Sequence, residues 1–225
     1  MRQTYFITGT DTDAGKTVVV CGLLARAQLD GKTTAAIKPI ASGCDQTPDG
    51  LRNSDALALQ SAMTHHLAYE QVNPVALEPA IAPHIALQEL GRRVTADHLV
   101  GYCRGVMMQR ADFTIIEGAG GWRVPLSARE MYSAVPQQLN IPVILIVGMK
   151  LGCINHATLT AEAIVRDGLK LAGWVANCSV REMNRYEENL ATLKALIPAP
   201  CLGEIPWLEN PSPENVALHL SLPAA

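Results

Sequence analysis

The residues best suited to chemistry lie in Gly9-Thr10-Asp11-Thr12-Asp13-Ala14-Gly15-Lys16-Thr17, where a glycine-bounded turn, a lysine and a hydroxyl follow one another. That combination is phosphate-binding chemistry. Tyr5-Phe6-Ile7 leads in as an apolar run and Val18 to Leu24 leads out, so the predicted order is strand, glycine loop, helix. Amide N–H groups at the start of such a helix can surround phosphate oxygens. Lys16 would neutralise charge on the β- and γ-phosphates, and Thr17 would offer its hydroxyl to Mg²⁺, which prefers hard oxygen ligands. The common motif places its first glycine where Thr10 stands here; the glycine is Gly9, so the loop is one residue longer.

Four more residues fall at strand ends or helix starts. Thr33-Thr34-Ala35-Ala36-Ile37 reads as a strand delivering Lys38, and Phe113-Thr114-Ile115-Ile116 as a buried strand delivering Glu117 into Gly118-Ala119-Gly120-Gly121. A carboxylate followed by glycines can hold Mg²⁺ while the backbone approaches a nucleotide closely. Asn177 ends the strand Leu171 to Ala176 with an amide suited to a nucleobase edge. Asp55 opens a helix capped by Asn53 or Ser54, where complementing the helix dipole is a sufficient local reason for it. A solvated strand-end lysine and a structural glycine turn are the corresponding alternatives for Lys38 and Glu117. In open α/β sheets, however, ligands lie outside the carboxyl ends of the strands, where all these groups gather.

The elements that must position them follow from the rest of the chain. Ile40 to Asn53 is rich in Ser, Gly, Asp and Pro and reads as a surface loop. Thr64 to Gly91 reads as irregular, with one short helix around His84 to Leu90, and Thr95 caps a helix bearing Leu99, Cys103, Val106 and Met107 on one face. A helix near Tyr132 to Leu139 is interrupted by Pro136, and Pro142 to Val147 is a core strand. Gly148 to Ile154, with Lys150, is a loop before a helix capped by Asn155 and running through Asp167. Arg181 to Leu196 is a helix, Cys201 to Leu208 a last strand with its exit loop, and Glu214 to Leu220 a terminal helix. Alternating strands and helices predict an α/β, doubly wound, mostly parallel sheet flanked by helices, in one domain spanning 1–225.

Composition limits the partners. The 225 residues carry a net charge of −3, with 48% hydrophobic and only 4% aromatic residues, so the core is expected to be aliphatic and no basic field invites nucleic acid. The six cysteines are scattered singly, and His65, His66 and His84 lack ligand spacing, which argues against zinc or a disulfide framework. No run approaches membrane-spanning length, and the N-terminus lacks the basic and apolar regions of a signal peptide. A cytoplasmic protein with no membrane partner is the expectation.

Several independent motifs together resemble the dethiobiotin synthetases, ATP-dependent enzymes of biotin synthesis in the P-loop NTPase superfamily. They are Gly9 to Thr17, KPIASG at Lys38 to Gly43, LRNSDA at Leu51 to Ala56, EGAGGW at Glu117 to Trp122, KLGCINH at Lys150 to His156, WVAN at Trp174 to Asn177 and GEIPWL at Gly203 to Leu208. The long phosphate loop is that family's own form. The resemblance implies conversion of 7,8-diaminopelargonic acid, CO₂ or bicarbonate, and ATP into dethiobiotin, ADP and phosphate, through a carbamate and a carbamic-phosphoric anhydride. It implies Lys16, Lys38 and Thr12 as catalytic residues, and Thr17, Asp55 and Glu117 as Mg²⁺ ligands. Nucleotide contacts would fall at Asp13, Ala14, Gly15, Lys16, Thr17, Val18, Asp55, Glu117, Gly118, Ala119 and Gly120, with the base near Asn177, Cys178, Pro206, Trp207, Leu208 and Glu214. Thr12, Lys38 and Ser42 would meet the reacting end of the substrate. Its tail carboxylate would meet Gly152, Cys153, Ile154 and Asn155 of the second subunit of a homodimer.

The chain departs from the family pattern at Ala134-Val135-Pro136, where an acid followed by tryptophan is expected in a helix. A paralogue of altered activity is one consequence to weigh. A P-loop ATPase switch of the partitioning or metallocluster-carrier kind would share the sheet and the dimer. Such switches usually carry an additional lysine early in the loop, and Thr10 to Ala14 contain none.

Overall fold

Apolar strands alternating with helices close into one parallel sheet. A computed structural model describes residues 2–224. The first part of the chain runs β1 (Gln3–Gly9), α1 (Lys16–Leu29), β2 (Thr34–Ile37), β3 (Ile40–Ser42), β4 (Asp45–Thr47), β5 (Gly50–Arg52), α2 (Ser54–Ala62), α3 (Tyr69–Val72), β6 (Val75–Leu77), α4 (Pro83–Glu89) and α5 (Ala96–Met107). It continues with β7 (Phe113–Gly121), α6 (Ala134–Leu139), β8 (Val143–Gly148), α7 (Cys153–Arg166), β9 (Leu171–Asn177), α8 (Tyr186–Leu196), β10 (Cys201–Ile205) and α9 (Pro213–Ala217).

The main sheet has six strands in the order β10-β9-β8-β1-β7-β2, and all of its pairings are parallel. Parallel neighbours need crossover connections, so helices cover both faces and the strands are apolar on both sides. β8 is buried along its whole length, and α1 packs against α9 and α2. Trp174, Tyr132 and Phe113 are the largest fully buried side chains in a core dominated by Val, Leu, Ile and Ala. β1 lies between β7 and β8; the chain leaves it on one side toward β2 and returns later on the other through β8. That reversal opens a crevice at the carboxyl end of β1, where the phosphate loop begins.

Several boundaries differ from the sequence reading, each for a local reason. Ile40 to Asn53 is not one loop: β3 pairs in parallel with β6, and β4 and β5 form a hairpin closed by Thr47 Oγ1 donating to Gly50 O at 2.7 Å. The stretch from Thr64 to Gly91 likewise contains α3 and β6 besides α4. Three-residue pairings leave no periodic signal. α7 begins at Cys153 with Gly152 as its cap at φ 94, so Asn155 lies within the first turn rather than capping it. α8 starts at Tyr186, because Arg185 at φ 57 stands in the left-handed region and no helix continues through it. Pro136 does not interrupt α6: the helix starts at Ala134, which puts the proline in the first turn, where its missing N–H has no helical acceptor. The terminal helix is α9, capped by Ser212 Oγ accepting from Asn215 N.

Candidate active site

The phosphate loop is held by the end of β8 and the residues just after it. Thr10 N donates to Ile146 O at 2.9 Å, Gly148 N donates to Thr10 Oγ1 at 3.2 Å, and Lys150 Nζ donates to Asp11 Oδ2 at 2.7 Å. Lys150 is thus half-exposed and paired. Lys16 is 5% exposed and folds back on its own loop, donating to Asp11 O at 3.1 Å and Thr12 O at 3.0 Å. Burial pulls its pKa below the ordinary lysine value, against the opposing attraction of Glu117.

Gly15 caps α1 at φ 83 and faces Asn177, whose Nδ2 donates to Ala14 O at 2.9 Å. A Cβ on Gly15 would overlap that amide. Gly15→Ala therefore combines left-handed strain of roughly 1–2 kcal/mol with a displaced loop. Nucleotide affinity measured by calorimetry is expected to fall at least tenfold, and an affinity within threefold of the unaltered protein would show that the loop adapts.

Across the crevice, Lys38, Asp55, Glu117 and Thr17 form one cluster. The end of β2 presents Lys38, the end of the buried part of β7 presents Glu117, and the first turn of α2 presents Asp55 beneath Asn53, whose Oδ1 caps the helix by accepting from Ala56 N. Lys38 Nζ lies 2.6 Å from both Asp55 Oδ2 and Glu117 Oε1, while Thr17 Oγ1 donates to Glu117 Oε1 at 2.9 Å. Desolvation penalises the Lys38 ammonium, but Glu117 and Asp55 outweigh it and hold the pKa above the ordinary value. Desolvation likewise opposes ionisation of Asp55, and the Lys38 charge prevails and keeps its carboxyl below the usual range.

The donor set fits Mg²⁺. Glu117 is fully buried, its Oε1 takes both hydrogen bonds, and its Oε2 has no partner among the described residues. A buried carboxylate oxygen with no donor is a position for a cation. Two carboxylates and a hydroxyl are also the small protein complement that Mg²⁺ combines with water and phosphate oxygens.

Thr17, Lys38 and Asp55 line a cleft of about 720 Å³, shared by Thr12, Asp13, Gly15, Lys16, Val18, Ser42, Ala119 and Gly120, while Glu117 lies fully buried behind its wall. Ser42 Oγ is another buried oxygen without a partner among the described residues. The sequence-derived residues do not all meet here. Cys178, Pro206 and Trp207 line a second cavity of about 660 Å³ at the β9–β10 end, where Arg181 stands over the Trp207 ring at 5.2 Å. Gly152 to Asn155 line neither cavity, and Glu214 is exposed in the first turn of α9. The cleft also has walls the sequence reading missed: Ala80 to Pro83 on one side and Arg123, Val124 and Pro125 on the other. Pro79 and Pro83 around a small apolar tripeptide were a usable signal for the first wall. For the second there was none, because Arg123 is defined by a partner 44 residues away.

A family model described as an AAA domain matches residues 3–215. Dethiobiotin synthetases are similar along nearly the whole chain. The ATP-dependent dethiobiotin synthetase BioD of Marinobacter nauticus is 56% identical over 221 residues, covering 98% of this chain and 94% of its own. That of Cellvibrio japonicus is 58% identical, covering 98% and 96%. Among solved structures, a ParA family ATPase from Chlorobium tepidum is 12% identical, with a TM-score of 0.58 over 98% of this chain and 91% of its own. MinD from Pyrococcus horikoshii, complexed with Mg-ADP, is 16% identical, with a TM-score of 0.57 over 97% and 86%. At that identity the two ATPases share the P-loop fold alone, whereas the synthetases share the sequence end to end. The chain belongs to the ATP-dependent dethiobiotin synthetase family.

Proposed function

We infer that this protein joins CO₂ to 7,8-diaminopelargonic acid at the expense of ATP and closes the ureido ring of dethiobiotin, releasing ADP and phosphate. One amine of the diamine attacks CO₂ and loses a proton, giving a carbamate. A carbamate oxygen attacks the γ-phosphorus as the bond to ADP breaks. The second amine then attacks the carbonyl carbon and phosphate leaves. Each step builds or moves negative charge, so positioned cations carry the catalysis.

The observation that supports this most is the buried Lys38 ammonium between two carboxylates on the cleft floor, across from Lys16. In this reading Lys16 leaves the carbonyls of Asp11 and Thr12 for the β- and γ-phosphates, and Lys38 stabilises the carbamate and the transferring phosphoryl group. Thr12 and the unpartnered Ser42 hydroxyl orient the reacting end of the diamine. Thr17, Asp55 and Glu117 hold Mg²⁺, which when bound neutralises charge on the phosphate oxygens. Asn177, with Cys178, Pro206, Trp207, Leu208 and Glu214, takes the base.

The active assembly in this reading is a cytoplasmic homodimer of single-domain subunits. Its support is that Gly152 to Asn155 line no part of the chain's own cleft, while Leu151 beside them is 96% exposed. The positive end of α7 there suits a carboxylate delivered by the other subunit. Among the described residues no helix is long and apolar enough to cross a membrane. The test is purified protein with MgATP and bicarbonate, with and without the diamine. Phosphate release that needs the diamine and matches dethiobiotin formed is expected; release indifferent to the diamine would overturn the reading.

A further inference from the structure

Glu117 stands where its strand loses regular support. Ile7 pairs with Glu117 and Gly9 with Gly121, so β7 advances four residues while β1 advances two, and Gly118-Ala119-Gly120 take up the excess. Gly118 backs onto Ile7 O and the Phe6 ring, and Gly120, at φ 63, faces Val124 Cγ2 and, farther off, Thr12 Oγ1. A glycine-rich bulge of this kind has few side chains to hold it in one conformation. Yet both a buried carboxylate and one edge of the cleft depend on its path.

The restraint comes from the next two residues. Trp122 Nε1 donates to Asp167 Oδ2 at 2.9 Å, and Arg123 forks onto the same carboxylate, Nη1 to Oδ2 and Nη2 to Oδ1, at 2.7 Å each. Arg123 Nη1 also donates to Ser133 Oγ at 3.3 Å, at the entrance of α6. A bidentate fork fixes plane and direction as well as distance. The Asp167 side chain is 12% exposed and closes α7 at its negative end, where the helix dipole disfavours a carboxylate. The helix therefore gives no reason for an acid there, whereas Arg123 and Trp122 do. Arg123 also lines the cleft, so the network reaches the site directly.

We propose that Arg123 and Asp167 are a positioning pair that fixes the turn from Gly118 to Trp122, and through it the direction of Glu117 and the Thr12 edge of the cleft. This rests on the synthetase reading for its substrate and on the geometry alone for its effect on Mg²⁺. Asp167→Asn keeps size and a residue type tolerated after a helix, and Arg123→Ala removes the fork.

Each variant is expected to lower kcat for dethiobiotin formation about tenfold, within the range seen when supporting groups of a metal site are lost. Each also raises the Mg²⁺ concentration giving half the maximal rate. By calorimetry, nucleotide binding weakens in the presence of Mg²⁺ and not in its absence. The double variant is no worse than the worse single one, because the two residues act as a unit, and Asp167→Glu recovers most of the rate. Unchanged kcat and Mg²⁺ requirement, with only a lower melting temperature, would overturn the proposal, as would losses that multiply in the double variant. If the unaltered enzyme made no dethiobiotin, the synthetase reading would fall, and the Mg²⁺ dependence of nucleotide binding would still decide the role of the pair.

Discussion

Lys38→Ala is expected to bind MgATP and yet to form dethiobiotin at least about 10³-fold more slowly, on the scale of a lost charge-stabilising donor. The ammonium is 5% exposed and within 2.6 Å of two carboxylates, so its loss removes a fixed, preorganised charge from the cleft wall where carbamate and phosphoryl charge would develop. The same deletion strands Glu117, fully buried, without its cation. Removing one partner of such a pair typically costs about 3–5 kcal/mol. Unfolding without Mg²⁺ should therefore shift markedly, while Mg²⁺ restores stability by occupying the carboxylates but does not restore turnover. That split separates a catalytic cation from a structural one. Turnover within threefold of the unaltered enzyme would remove Lys38 from the chemistry.

Glu117→Gln carries the second large effect, for the complementary reason. The substitution preserves volume, and one amide oxygen can still accept from Thr17 and Lys38, so the fold should persist. What disappears is the charge on a carboxylate whose Oε2 is buried without a donor. An amide NH₂ turned to that position offers hydrogens where a cation would need lone pairs. The Mg²⁺ concentration for half-maximal rate is expected to rise more than tenfold and kcat to fall by about 10²-fold or more, the scale of a lost electrostatic contact in the transition state. A titration of rate against Mg²⁺ at saturating nucleotide reads both. An unchanged Mg²⁺ requirement would mean that Glu117 serves only to anchor Lys38.

The Ala134-Val135-Pro136 departure leaves α6 formed. Pro136 lies in the first turn of α6, and Ser133 ahead of it is held by Arg123. The region is thus anchored from the cleft wall rather than by an acid in the helix.

The sequence by itself determined the sheet and the groups at its carboxyl ends. Continuous apolar runs such as Val143 to Val147 can be satisfied only by burial on both faces, and the glycine-lysine-threonine turn after β1 carries its chemistry in consecutive residues. Such signals are local and survive without neighbours. Asp55 shows the limit: as a lone residue its best explanation is the dipole of α2, and only the meeting of α2 with the ends of β2 and β7 sets it on Lys38. The three-residue strands from Ile40 to Arg52, the left-handed Arg185 that shortens α8, and the Arg123–Asp167 fork were decided by the tertiary structure in the same way. Each depends on a partner many residues away or on a single backbone angle, and neither leaves a periodic trace in the chain. Where Lys16 rests and which oxygen of Glu117 stays bare belong to that second class, because both follow from how closely β1, β2 and β7 bring their ends together.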